Sequence, residues 1–145
     1  METDAPAEPE GRQRLMTQEL TVVAWGCLLA LVYIFSASIA RTGQYGIRWN
    51  MGARDQALAQ PLPVVGRLTR AQANYFETFP IVIAAALILA VTGRDSPATA
   101  AGAWLWFISR IVYLPLYALG VPVVRSLVFM ASLAGIILML WPALL

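Results

Sequence analysis

Histidine and lysine are both absent from this chain of 145 residues, charged residues make up only 12% of it, and there is a single cysteine. Each shortage closes off a class of chemistry. Without histidine the chain lacks the usual metal ligand, the usual general base near neutral pH, and every Ser/His or Cys/His arrangement, so no metal site is expected. One cysteine cannot close an internal disulfide, and Cys27 stands inside an apolar run where a thiol packs as a small hydrophobe. All ten basic residues are arginines and the net charge is only +2, too small and too dispersed for a nucleic-acid footprint. No nucleic-acid partner is expected. Soluble domains carry about 25% charged residues. With 12% charged and 59% hydrophobic, this chain is built for a membrane.

What is present divides into a polar tail and four apolar runs. Residues 1–19 hold Glu2, Asp4, Glu8, Glu10 and Glu19 against Arg12 and Arg14, with two prolines and little to bury, which reads as a disordered tail. Leu20 to Ala40 is 21 uncharged residues, close to the ~20 that cross the hydrocarbon of a bilayer. Ser38-Ile39-Ala40 has the small-x-small form of a cleavage site, but the acidic flank and the length of the run argue against a signal peptide. The next run, Thr78 to Gly93, is only 16 residues, so a full crossing has to begin near Ala71 and carry Glu77 with it. Gly93 to Pro97 and Gly120-Val121-Pro122 are tight turns. Between them a third span over 98–119 takes in Arg110, and a fourth over 123–144 opens on Arg125. The expected fold is therefore all-α: an integral membrane four-helix bundle with spans at about 20–40, 71–93, 98–119 and 123–144 in one domain, 20–145. Short turns make the last three spans antiparallel neighbours.

Arginine distribution sets the expected orientation. A cytoplasmic 41–70 loop places Arg41, Arg48, Arg54, Arg67, Arg70 and Arg125 inside, against Arg12, Arg14 and Arg94 outside, so both termini are expected outside. The small residues along the spans, such as Ala84 to Ala86 and Ala100 to Ala103, are read as ordinary close packing between membrane helices. By helix rise Glu77 lies ~10 Å from Arg70, and Arg110 lies ~13 Å from Leu119, so the two charges share a depth. Arg70, Asn74 and Glu77 fall on one helical face, as do Arg110, Tyr113 and Tyr117. Charges inside a membrane are commonly paired, so a structural Glu77–Arg110 ion pair is expected. The polar stripes extend past what one pair requires, which points to a ligand site beside it.

Arg125 opens the fourth span, where the free N–H groups and dipole of the helix already favour an anion, and Ser126 adds a hydroxyl. An interfacial arginine that snorkels to lipid phosphate is the structural alternative. With Arg48, Arg67 and Arg70 near the same membrane face, a small molecule carrying several carboxylates is the fitting ligand, because guanidinium binds carboxylate in bidentate fashion.

The string Arg70-Ala71-Gln72-Ala73-Asn74-Tyr75-Phe76-Glu77 resembles the Arg-Ala-x-x-Asn-x-x-Glu signature of the membrane-associated proteins in eicosanoid and glutathione metabolism, the MAPEG family, and in particular its bacterial branch. Arg110-x-x-Tyr113-x-x-x-Tyr117 and Arg125-Ser126 add to the likeness, which runs from Leu20 onward. The resemblance implies a homotrimer, in a bacterial inner membrane, with glutathione as cosubstrate between subunits at the cytoplasmic side. It further implies that Asn74 and Glu77 hold the peptide's polar groups, that Tyr113 and Tyr117 line the site, and that Arg125 stabilises its thiolate with Ser126 nearby; Arg70 and a loop arginine, Arg48 in preference to Arg41 or Arg54, are expected to clasp its carboxylates. Two positions depart from the pattern: Ala73 stands where an enzymatic member has a basic residue, and Phe129 stands where it has a tyrosine. The implied function is a glutathione-dependent transferase or peroxidase that takes small apolar electrophiles from the lipid. The alternative is a non-catalytic trimer that binds lipid or acts as a scaffold, a role the family also contains.

Overall fold

The computed structural model describes residues 16–144, so most of the polar tail expected over 1–19 lies outside the described residues. Its last residues are not tail. Thr17 caps the first helix, with its side chain accepting from the Leu20 N–H, and Gln18 and Glu19 are the first helical residues. Glu19 is 1% exposed and accepts a hydrogen bond from Thr99 Oγ1 at the start of another helix. Sequence alone placed Glu19 in the tail because it precedes the apolar run. Its carboxylate instead sits in the first turn of its own helix and beside a second helix N-terminus, where the free N–H groups favour negative charge.

The described residues are helical with no strand, and the order is α1 (Gln18–Tyr45), α2 (Ile47–Met51), α3 (Pro63–Thr92), α4 (Pro97–Leu119) and α5 (Pro122–Leu144). All but α2 are long and apolar enough to cross a membrane. Two boundaries differ from the hydropathy count. α1 runs past Arg41 to Gly46, whose φ of 88° ends it, and α3 begins at Pro63 rather than near Ala71. Hydropathy marks where a helix leaves hydrocarbon, whereas caps and prolines mark where the backbone stops being helical. The turns were placed correctly by their breakers. Gly93 and Gly120 take left-handed φ values of 66° and 78° as C-caps, and Ser96 with Thr99 forms a capping box that starts α4.

Packing follows from where small side chains sit. On α4 and α5, Gly102 and Gly135 face each other so closely that a Cβ on Gly102 would lie 2.7 Å from the Gly135 carbonyl oxygen. Backbones meet there without side chains between them, the means by which membrane helices gain dispersion contacts in the absence of a hydrophobic drive. On α1 the surface of Gly26 receives the Phe79 ring of α3, and Tyr75 donates from its hydroxyl to the Gly26 carbonyl at 2.7 Å. Tyr33, Tyr75, Phe79 and Trp106 then form the centre of the bundle, with Phe79 and Trp106 stacked at 5.6 Å. Large apolar side chains such as Leu28, Phe35, Ile39, Ile108 and Ile137 point outward, as expected of helices solvated by lipid.

Candidate functional site

Arg110 of α4 is the one fully buried cation among the described residues, at 0% exposure. Its Nη1 donates to Asn74 Oδ1 at 2.7 Å and its Nη2 to Thr78 Oγ1 at 3.0 Å. The guanidinium carbon lies over the rings of Tyr113 and Phe129, with centroid distances of 5.3 Å and 5.2 Å, while Nε has no partner among the described residues. The expected Glu77–Arg110 ion pair is corrected by these contacts. No direct pair forms among the described residues; Asn74 stands between, with its Nδ2 3.4 Å from Glu77 Oε2. The reason is angular. On an α-helix, position 78 is about 40° from position 74 whereas position 77 is about 60° to its other side, so an arginine reaching across to 74 and 78 faces away from 77. Glu77 is exposed on the outer surface of the chain.

In front of this arginine lies a cavity of 250 Å³ lined by Asn74, Tyr113, Tyr117, Arg125, Ser126, Phe129 and Met130. α3, α4 and α5 each contribute. The Arg125 guanidinium sits 4.4 Å from the Tyr117 ring centroid, and Arg125 makes no hydrogen bond to another described residue. Tyr117 in turn packs 5.3 Å from Tyr113. Ser126 Oγ donates to the Pro122 carbonyl at 3.0 Å, so its hydrogen is committed along α5 and its lone pairs stay available. The arrangement holds a cation without a counter-ion among the described residues, at a helix N-terminus, beside an amide donor and against a wall of aromatic rings. Such a cleft suits an anion carried on a partly apolar body.

Of the residues singled out in the sequence, Asn74, Tyr113, Tyr117, Arg125 and Ser126 come together here, and Glu77 adjoins through Asn74. Arg48 and Arg70 do not. Arg48 lines a 480 Å³ cavity with Tyr45, Trp49, Arg54 and Asp55, and Arg70 lines a 390 Å³ cavity with Arg41, Tyr45, Trp49 and Val65. Both lie at the α1–α3 loop. Sequence reasoning missed Thr78, the second acceptor for Arg110, and Met130, which completes the wall. Thr78 was legible in principle, four residues after Asn74 on the same face. Among the described residues, no group of three or more Cys, Asp or Glu side chains is placed to hold a metal ion.

The MAPEG family profile matches residues 22–145, which takes in nearly all of α1 and everything after it. The chain belongs to the MAPEG family. A search of the curated proteins returned no match. As a MAPEG protein it is an integral membrane protein, and its family is one of eicosanoid and glutathione metabolism. In this MAPEG chain the cleft in front of Arg110 joins a cation, an amide and hydroxyl groups from α3, α4 and α5.

The contacts of Arg110 give an expected order of stabilities. Replacing Glu77 with Gln should change the thermal midpoint little, because no cation is left unpaired. Replacing Asn74 with Leu or Thr78 with Val removes an acceptor from a buried guanidinium and should cost about 1–3 kcal/mol or more. Thermal melts of the three variants in detergent check this, and a Glu77→Gln loss as large as that of Asn74→Leu would contradict it.

Proposed function

We propose that this MAPEG protein binds glutathione in the cleft between α3, α4 and α5 and activates its thiol for attack on small apolar electrophiles that arrive through the lipid. The observation that carries the reading is the Arg125 guanidinium, held over the Tyr117 ring and without a hydrogen-bond partner among the described residues, facing the same cavity as Ser126 and Asn74. A thiol with an ordinary pKa of about 8.5 is only a few per cent ionised at neutral pH, and the thiolate is the nucleophile. A permanent cation in a partly desolvated site favours the charged sulfur by Coulomb attraction and by hydrogen bonding. The thiol proton passes to water, the sulfur lone pair forms the new bond to the electrophilic carbon, and that carbon's bond to its leaving group breaks, the leaving group departing with the electron pair.

The outward face of the cleft suits a homotrimer. Glu77, Ser126 and Met130 are exposed in the single chain, and a neighbouring subunit would cover them and bring Arg48 and Arg70 to the ligand's carboxylates. The arginine count favours a cytoplasmic 41–70 loop with both termini outside, in a bacterial inner membrane. A second reading, a non-catalytic lipid-binding or scaffold protein, draws on Phe129. Its ring is committed to Arg110 at 5.2 Å and lends that wall of the cleft no hydroxyl.

Glutathione titration followed by thiolate absorbance separates the two. Wild type should show thiolate with a pKa lowered by about two units, roughly 2.7 kcal/mol of differential stabilisation. Arg125→Leu should abolish the signal with assembly intact, and Ser126→Ala should reduce it less, since the hydroxyl contributes one hydrogen bond and no charge, and only on turning its hydrogen from the Pro122 carbonyl to the sulfur. Binding without thiolate, or thiolate retained in Arg125→Leu, would hand the function to the scaffold reading.

Orientation is tested separately. In a Cys27→Ser background, Asp95→Cys should react with an impermeant thiol reagent added outside and Ala53→Cys should not. Outside labelling of residue 53 would reverse the topology.

A further inference from the structure

The hydrogen bonds of Arg110 fix more than the fold. An asparagine side chain has two faces, an acceptor Oδ1 and a donor Nδ2, whereas a guanidinium only donates. The Arg110 Nη1 contact with Asn74, at 2.7 Å, therefore requires the amide oxygen to point inward. Nδ2 is then turned outward, toward Glu77 Oε2 at 3.4 Å and the cavity that Asn74 lines. The reversed amide would set two donors against each other in a dry interior, an arrangement buried polar groups do not sustain.

Arg110 is itself immobilised. Nη2 is bound to Thr78 Oγ1, whose own hydrogen is directed at the Tyr75 carbonyl at 3.2 Å. Tyr113 and Phe129 flank the guanidinium, and the Tyr33 hydroxyl donates to the Arg110 carbonyl at 2.7 Å, tying α4 to α1 at that level. Arg110 does not line the cavity. Whatever it contributes to recognition passes through Asn74.

We propose that Arg110 is a positioning residue that locks the Asn74 amide with its N–H group facing the cleft, and that it thereby sets the site's preference for a ligand group that accepts a hydrogen bond, a carboxylate or a peptide carbonyl. The proposal rests on the glutathione reading above for its ligand, and on the bundle alone for the orientation. A preference for acceptor groups is thus imposed by a side chain that touches no ligand. The same cation also explains why Asn is needed at 74. Asp at that position would bind Arg110 at least as well but would present only acceptors outward.

Two measurements test it, one of them independent of glutathione. In isotopically labelled protein in lipid, solid-state NMR should show Asn74 Nδ2 close to Glu77 Cδ and Asn74 Cγ close to the Arg110 Nη atoms. In Arg110→Met the first contact should weaken as the amide turns. Contact between Asn74 Nδ2 and Arg110 in wild type, or an unchanged Nδ2 to Glu77 contact in Arg110→Met, overturns the proposal.

For binding, Arg110→Met and Asn74→Leu should each weaken glutathione about tenfold, the worth of one good hydrogen bond. The double variant should be no weaker than either alone, because one acts through the other. Additive losses would show that Arg110 acts by charge or by general structure and would overturn the proposal. Arg110→Lys, which keeps a donor, should bind within about threefold of wild type if it reaches Oδ1. Asn74→Asp should fold and lose binding; retained binding there overturns the donor assignment. If wild-type protein fails to bind glutathione at all, the function proposed above falls, and the NMR contacts still decide the orientation.

Discussion

A full positive charge with none of its surface exposed, carried on a helix that crosses a membrane, is the constraint around which this bundle is arranged. Removing a guanidinium from water carries a penalty of several kcal/mol even after relaxation. Two charge-assisted hydrogen bonds, donated to Asn74 and Thr78, and two aromatic faces, those of Tyr113 and Phe129, contribute stabilisation of the same order. These partners come from α3, α4 and α5. Holding them on one guanidinium fixes the relative rotation of three helices, and Tyr33 brings the fourth to the same level through the Arg110 carbonyl. Neutral acceptors suffice for this task, which leaves Glu77 on the outer surface of the chain, in contact with Asn74 and not with the guanidinium.

The cleft depends on that arrangement. Tyr113, Phe129 and Asn74 each have one side on Arg110 and another on the 250 Å³ cavity, so the charge at the back organises the wall in front. Arg125 meets the cavity from the start of α5, where Gly120 in its left-handed conformation turns the chain immediately after α4. A short turn places two arginines within one small region while keeping their roles apart. One is dry and hydrogen-bonded; the other is half-buried, stacked on Tyr117, and without a hydrogen bond among the described residues.

Membrane class, the number of spans and the two tight turns were legible in the sequence because uncharged run length, Gly and Pro report them directly. So was the grouping of Asn74, Tyr113, Tyr117, Arg125 and Ser126, since residues on one helical face share a depth. Less was legible where partner choice depends on rotation between helices. Arg110 and Glu77 have opposite charge and similar depth, yet only the packing of α3 against α4 decides that Asn74 and Thr78 meet the guanidinium first. Glu19 failed as a tail residue for a similar reason, since its partner Thr99 is 80 residues away. Arg48 and Arg70 lie in cavities of their own, because a loop of about 30 residues carries no periodicity from which its path could be read.

An experimentally determined structure of the protein in lipid with glutathione bound would test the account most directly. The expected result places the glutathione sulfur within about 3 to 4 Å of the Arg125 guanidinium, with an oxygen of the peptide accepting from Asn74 Nδ2 and Arg110 still bonded to Oδ1 behind it. Glutathione lodged instead in the loop cavity beside Arg48 and Arg54, with the Arg125 cleft empty and Arg110 turned to Glu77, would contradict it.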